Sequence, residues 1–294
     1  TKFDEDGLKE MISKFFGTLK NVYNFFVLYS NQDGINPAEF EVKAEDRPEL
    51  DRWIISRYNK TVKEVTDYVE GFDHMRAVRT IQDFVVEDLS NWYIRRARRR
   101  FWAEELTEDK KSVYKTTYDI LVGVAKLMAP FAPFLSDEIY INLTGEESVH
   151  LAYFPVADET LIDEKAEERM GLVRTLVGLG RGTREKEKIK VRQPLKSVLV
   201  DGKYEAIISD LTPLILEELN VKRVVFENDL DKYMNFSLKP NFRAAGPVLG
   251  AKVKAFGGYM AKVNAAEFVG QMEAEGKVTI ELEGESFDVT KELV

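Results

Sequence analysis

Asn91-Trp92-Tyr93-Ile94-Arg95-Arg96-Ala97-Arg98-Arg99-Arg100-Phe101-Trp102 puts five arginines into the six positions from 95 to 100 and brackets them with aromatic residues. The chain as a whole carries 42 Lys plus Arg against 51 Asp plus Glu, a formal net charge of -9. An acidic chain that gathers arginine in one place has set one surface aside for a polyanion. A guanidinium offers phosphate a planar fork and stacks on bases, and Trp and Tyr add stacking surface. RNA or DNA binding by a local patch is therefore the first functional expectation, with the rest of the surface kept acidic.

A helical wheel at 100° per residue divides this run into two faces. With Trp92 at zero, Leu89, Tyr93, Arg96 and Arg100 lie within about 100° of it, and Ala97 and Phe101 extend that arc. Arg95, Arg98, Arg99 and Trp102 gather between about 240° and 340°. The first face packs inward, so Arg96 and Arg100 are expected to pair with carboxylates of the flanking helices. The second face presents three arginines and a tryptophan outward. The competing reading is a solvated helix paired with acids such as Glu87, Glu104 and Glu105.

Upstream and downstream of the run the apolar residues keep helical spacing. Leu8, Ile12, Phe15, Phe16, Leu19, Val22, Tyr23 and Phe26 predict a helix over 7–29, and 31–48 is a turn-rich loop. Leu50, Trp53, Ile54, Tyr58, Val62 and Val65 predict a second helix over 49–69, with Trp53 in the core. Asp73 is the expected cap of a third, which runs into the arginines, with His74 as a helix-start residue. A fourth covers 109–128, and a Pro-punctuated segment leads to a short helix near 138–143. Short loops between such helices make a bundle.

After Val149 the pattern changes. Residues 149–155 read as a short extended segment and 163–187 as a long helix of growing basicity. Ile189 and Val191, then Ser197 to Val200, read as strands; 204–219 reads as helix and 222–227 as strand, a β-α-β-type unit. Phe236 to Leu238 is expected to add a strand, and 242–275 returns to helix. Residues 277–283 and 285–289 alternate around Gly284 as a hairpin. The expected fold is mainly α, then α+β: a helical bundle over 1–155, a junction helix with a β-α-β-type unit over 156–240, and a helical segment plus hairpin over 241–294.

Composition narrows the chemistry. No cysteine is present, which excludes disulfides, thiolate metal sites and cysteine nucleophiles within these residues. His74 and His150 have no ligand-spaced neighbours, so neither a metal pair nor a Ser-His-Asp triad is expected. No catalytic residue and no metal ligand is therefore assigned. Gly178-Leu179-Gly180-Arg181-Gly182 lacks the preceding strand and the spacing of a nucleotide loop and reads as glycines that let a helix pack closely. Lys188, Lys190 and Arg192 alternate with Ile189 and Val191. In a strand they form one basic face with cations about 6.6 Å apart, a candidate phosphate track. Arg52, beside the inward Trp53, is a further RNA candidate. No apolar run approaches a membrane span, no membrane partner is expected, and the expected compartment is the cytoplasm. The opening Thr1-Lys2-Phe3 is taken as the start of an excised piece.

Leu89 to Trp102 closely resembles the signature of the anticodon-binding helical domain of isoleucyl-tRNA synthetases. Asp51-Arg52-Trp53-Ile54, Ala129 to Phe134 with Glu138-Ile139-Tyr140, Ser148 to Ala152 with Pro155, and Lys188 to Leu195 resemble further segments of that family in the same order. The resemblance covers roughly residues 1 to 260 and is strongest between 50 and 200. Valyl- and leucyl-tRNA synthetases share the bundle but are not expected to share the arginine run.

The resemblance implies binding of the anticodon stem and loop of isoleucine tRNA. Arg95, Arg98, Arg99, Lys188, Lys190 and Arg192 are then the phosphate candidates, Arg52 a further tRNA contact and Trp102 the stacking candidate. The two catalytic signatures of class I synthetases are absent, so the chain looks like a C-terminal piece of a ligase that is inactive alone. ATP and Mg belong to the parent enzyme and no cofactor to this piece. The catalytic and editing domains of the same chain are expected partners, and the assembly is expected to be monomeric. Without the cysteines of a terminal zinc module, and with Asn241 to Gly250 in their place, the chain resembles the eukaryotic-like branch. The alternatives are a structural or protein-interaction module with a buried arginine network, or the equivalent region of a valyl-tRNA synthetase.

Overall fold

The computed structural model describes residues 5–233 and 237–294. Two compact units are present, one formed by residues 1–193 and 210–220 and the other by 194–209 and 221–294.

The first unit is built from helices. Helix α1 covers 5–33 and includes a π-helical turn at Ile12–Phe16. It stops at Gly34, whose φ of +64° lets its N–H turn back to the carbonyls of Asn31 and Ser30. Helix α2 is Glu49–Glu70 and buries Trp53, Ile54, Val62 and Val65. Helix α3 covers 74–101, and Asp73 caps it by accepting the Arg76 N–H at 3.1 Å. Its middle, Phe84–Ile94, is π-helical. The wider π turn explains why the consecutive residues Trp92, Tyr93 and Ile94 are all buried. Helices α4 (Glu108–Met128) and α5 (Pro133–Thr144) complete the bundle. Each fully buried large apolar side chain contributes about 1.5–3 kcal/mol, and Trp53, Phe26, Phe84, Phe101, Leu19 and Ile54 head that core.

Helix α6, Glu164–Lys186, also belongs to this unit. The change of texture near residue 155 is therefore not a packing boundary. Glu167 on α6 accepts from Ser56, from Arg57 at 3.3 Å and from Lys60 at 3.0 Å, while Arg174 reaches Asp88 at 2.5 Å. Residues 149–155 form a single turn at Val149–Leu151 followed by irregular chain, not an extended segment. Helix α7, Thr212–Leu219, returns to this unit and packs on α6.

The second unit contains two small sheets. Strands β1 (Val198–Asp201) and β2 (Val224–Glu227) pair in parallel, Val198 opposite Val224. The chain between them is helical but broken into short pieces before α7, where the sequence suggested one helix. Then follow α8 (Phe242–Leu249), α9 (Val253–Met260) and α10 (Ala265–Glu275). Strands β3 (Lys277–Leu282) and β4 (Glu285–Thr290) form the expected hairpin. Glu283 and Gly284, both at positive φ, make its two-residue turn. Val278, Ile280 and Leu282 face a core with Phe256, Met260, Phe268 and Met272. The strand expected at 236–238 begins outside the described residues, and 237–238 are not strand. No helix among the described residues is long and apolar enough to cross a membrane.

Candidate nucleic-acid interface

The arginine run forms the last turns of α3, and its two faces do different work. Arg100 faces inward. Its Nη1 lies 2.5 Å from Asp51 Oδ1 and its Nη2 2.8 Å from Asp51 Oδ2, a bidentate pair. Its Nε donates to Asp109 at 3.0 Å. Asp51 is fully buried and also accepts from Tyr93 at 2.9 Å and Ser112 at 2.6 Å. Burial alone would lower the Arg100 guanidinium, but the hydrogen bonds and charge of Asp51 hold it above the ordinary arginine value. Burial, reinforced by the Asp51 charge, pushes the Tyr93 hydroxyl well above the ordinary tyrosine value.

Arg96 folds back on its own helix. Its guanidinium lies 3.6 Å from the centre of the Trp92 ring and donates to the carbonyls of Asn91 at 3.1 Å and Trp92 at 2.7 Å. It also pairs with Glu218 on α7. Burial, only partly offset by Glu218, lowers Arg96 to about 10, helped by repulsion from Arg95, Arg181 and Arg174. The expected carboxylate partners on α2 and α4 are thus found for Arg100, but Arg96 takes its partner from a helix far along the chain.

The outer face carries the remaining members of the run. Arg98 is exposed, 5.9 Å from the Phe25 ring centre, and has no carboxylate partner among the described residues. The Arg99 side chain is 80% exposed and meets Glu217 at 2.9 Å. The Arg95 side chain is 51% exposed and lies 3.5 Å from Glu218. Trp102, just past the helix end, is 53% exposed. Arg52 is half-buried on α2 and gives its Nη1 to the Arg47 carbonyl at 2.7 Å, so part of its donor capacity is already used.

Lys188, Lys190 and Arg192 are exposed, but they are not on a strand. The alternation of Lys188 to Arg192 is overridden by the end of α6. Lys188 and Ile189 donate their N–H groups back to Glu185 at 3.0 Å and Arg184 at 2.8 Å, and Gln193 closes a turn onto Lys190 at 2.9 Å. Arg184 is buried and fastens this turn to the end of α7. It donates to the carbonyls of Lys190 at 3.1 Å, Leu219 at 2.6 Å and Asn220 at 3.2 Å.

The turn brings two of the expected cations to the arginine helix. A cleft of about 580 Å³ is lined by Arg95, Arg181 and Arg184 with Lys188, Lys190, Ile189, Val191 and Glu185. Sequence reasoning singled out Arg95 and, apart from it, the Lys188 and Lys190 track with Arg181 and Arg184 leading into it, and missed Glu218 as the carboxylate behind them. Glu218 is buried and pairs with Arg95, Arg96 and Arg181. Gly180 permits this approach, because a Cβ there would lie 2.5 Å from the Leu219 side chain. An exposed arginine face with tryptophan at its end, next to a basic cleft, suits phosphate contact and base stacking.

The sequence description of the anticodon-binding domain of tRNA ligase matches residues 51–199, half of the chain. The chain belongs to this family. Arg52, Arg95, Arg98, Arg99, Trp102, Lys188, Lys190 and Arg192 all lie within the part matched to the anticodon-binding domain, whereas Glu217 and Glu218 lie beyond it. The isoleucine–tRNA ligase of Porphyromonas gingivalis is 42% identical over 287 residues, covering 96% of this chain and 25% of that protein. The isoleucine–tRNA ligases of Bacteroides thetaiotaomicron and Clostridium acetobutylicum are 41% and 39% identical, over 96% and 99% of this chain. The chain spans about a quarter of the length of these relatives.

Proposed function

We propose that this anticodon-binding chain is the part of an isoleucine–tRNA ligase that holds the anticodon stem and loop of isoleucine tRNA. The observation that carries this reading is the joint exposure of Arg95, Arg98, Arg99 and Trp102 at the end of α3, with Arg95 shared by the basic cleft of Lys188 and Lys190. The names of the relatives support the choice of amino acid. Phosphate contacts fix register, and Trp102 supplies a surface on which a loop base stacks.

In the longer ligase this contact holds the acceptor end near a distant reaction centre and contributes to specificity. Catalytic and editing domains of that same protein are its proposed partners, in a cytoplasmic monomer. ATP and Mg are assigned to the rest of the ligase. Gly178 to Gly182 lie inside α6. The chain is further assigned to the eukaryotic-like branch on the run Asn241 to Gly250.

The reading of the arginine run as a structural network is favoured for Arg96 and Arg100 alone, which are tied to Glu218 and Asp51. Binding of the chain to isoleucine tRNA and valine tRNA across a salt series tests the proposal. A steep salt slope with a several-fold preference for isoleucine tRNA is expected; failure to bind either tRNA at low salt overturns it.

A further inference from the structure

The turn after α6 holds a lysine in a conformation that backbone sterics favour for glycine. Lys188 has a φ of +55° and sits just past the helix, where a left-handed residue closes the last turn. Glycine is the usual residue there, because a Cβ crowds the following carbonyl. The N–H groups of Lys188 and Ile189 are both committed to helix carbonyls, so the conformation is part of the helix end. Residues held in such regions persist where the surroundings impose them and cluster at binding sites.

What the lysine gives in return is placement. Its side chain lines the cleft with Arg95, Arg181 and Lys190, and neither lysine ammonium has a carboxylate partner among the described residues. Arg184 is spent on three carbonyls and shapes the floor. Arg181 is held by Glu218, and Arg95 is only loosely held. The cleft therefore keeps an excess of positive charge over Glu185 and Glu218, with Lys188 and Lys190 as its unpaired donors and Arg95 shared with Glu218.

We propose that this cleft, as part of the same RNA-binding surface, holds one backbone phosphate of RNA through Arg95, Lys188 and Lys190, and that the fold gives up stability at Lys188 to build it. The inference rests on the tRNA-binding reading and adds the cleft to the Arg98–Trp102 face. A glycine at 188 would relieve the backbone and remove the ligand together, so stability and affinity should move in opposite directions.

The test uses the 294-residue chain with an isoleucine tRNA transcript, reading Tm and the salt dependence of Kd for three variants. Lys188→Gly is expected to raise Tm by about 2 °C. It is also expected to weaken binding about five- to tenfold and to make the salt slope shallower by about one. Lys190→Gln, which leaves the backbone alone, is expected to weaken binding at unchanged Tm. Wild-type affinity in both, while Arg98→Gln with Arg99→Gln still weakens binding, overturns the cleft and leaves the broader reading standing. A wild-type chain that binds no RNA at low salt overturns both. A lower Tm for Lys188→Gly overturns the claim of strain. Inorganic phosphate alone is the last probe. Displacement of the tRNA no better than by chloride at equal ionic strength is expected; stronger displacement reassigns the cleft to free phosphate and overturns the RNA site.

Discussion

Arg100 grips Asp51 with both arms of its guanidinium, at 2.5 and 2.8 Å, beneath the face that displays Arg98 and Arg99. One arginine run thus serves the core and the surface together. The pair ties the end of α3 to the first turn of α2, and Ser112 and Tyr93 complete the coordination of a carboxylate that no water reaches.

Removing one partner of such a buried pair leaves an uncompensated charge, which costs about 3–5 kcal/mol. Asp51→Asn is expected to destabilise the chain by that order, read from urea unfolding. A loss below about 1 kcal/mol, the value of an exposed pair, would contradict the buried network.

Alkaline pH should weaken the fold. Burial is the first cause that raises Tyr93, Tyr58 and Tyr114 above the ordinary tyrosine value of 10.0. Each is an acid whose folded value lies above its unfolded value. Its contribution is complete below pH 10 and is lost as pH rises further, because the unfolded chain ionises first. The loss approaches about 1.4 kcal/mol per pH unit for each such group. Guanidinium unfolding from pH 8 to 11.5 should show this decline, and Tyr93→Phe, though less stable at pH 8, should decline less steeply. Equal slopes would remove Tyr93 from the account.

The glycines of the first unit are not equivalent. A Cβ on Gly123 would lie 1.9 Å from the Tyr58 hydroxyl, whereas one on Gly178 meets nothing within 4 Å. Gly123→Ala is expected to lower stability by about 1–3 kcal/mol through overpacking. Gly178→Ala should raise it by up to about 1 kcal/mol through helix propensity. Thermal unfolding of the two variants distinguishes them, and the same sign for both would contradict the close approach of α2 and α4.

Where one period governs a segment, the sequence was legible. The 100° wheel separated Arg96 and Arg100 from Arg95, Arg98, Arg99 and Trp102, because the end of α3 is regular and its apolar stripe is strong. The Asp73 cap and the Gly284 hairpin were legible for the same local reason. Glu218 was not, because nothing near α3 in the chain points to α7. Lys188 to Arg192 alternate like a strand, but Arg184 and the helix closure fold them into a turn. The boundary near 155 misled for a similar reason: Glu167 and Arg174 tie α6 to the bundle through side chains that meet only in three dimensions.

The central claim is that the outer face of α3 holds RNA phosphate without holding the fold. The decisive experiment compares the wild-type chain with the Arg95→Gln, Arg98→Gln, Arg99→Gln triple variant. It measures tRNA affinity at several salt concentrations together with Tm. The account predicts at least a tenfold weaker complex, a salt slope shallower by about two to three, and a Tm within a few degrees of wild type. An unchanged affinity and slope, or a collapse of Tm in place of a change in slope, would contradict it.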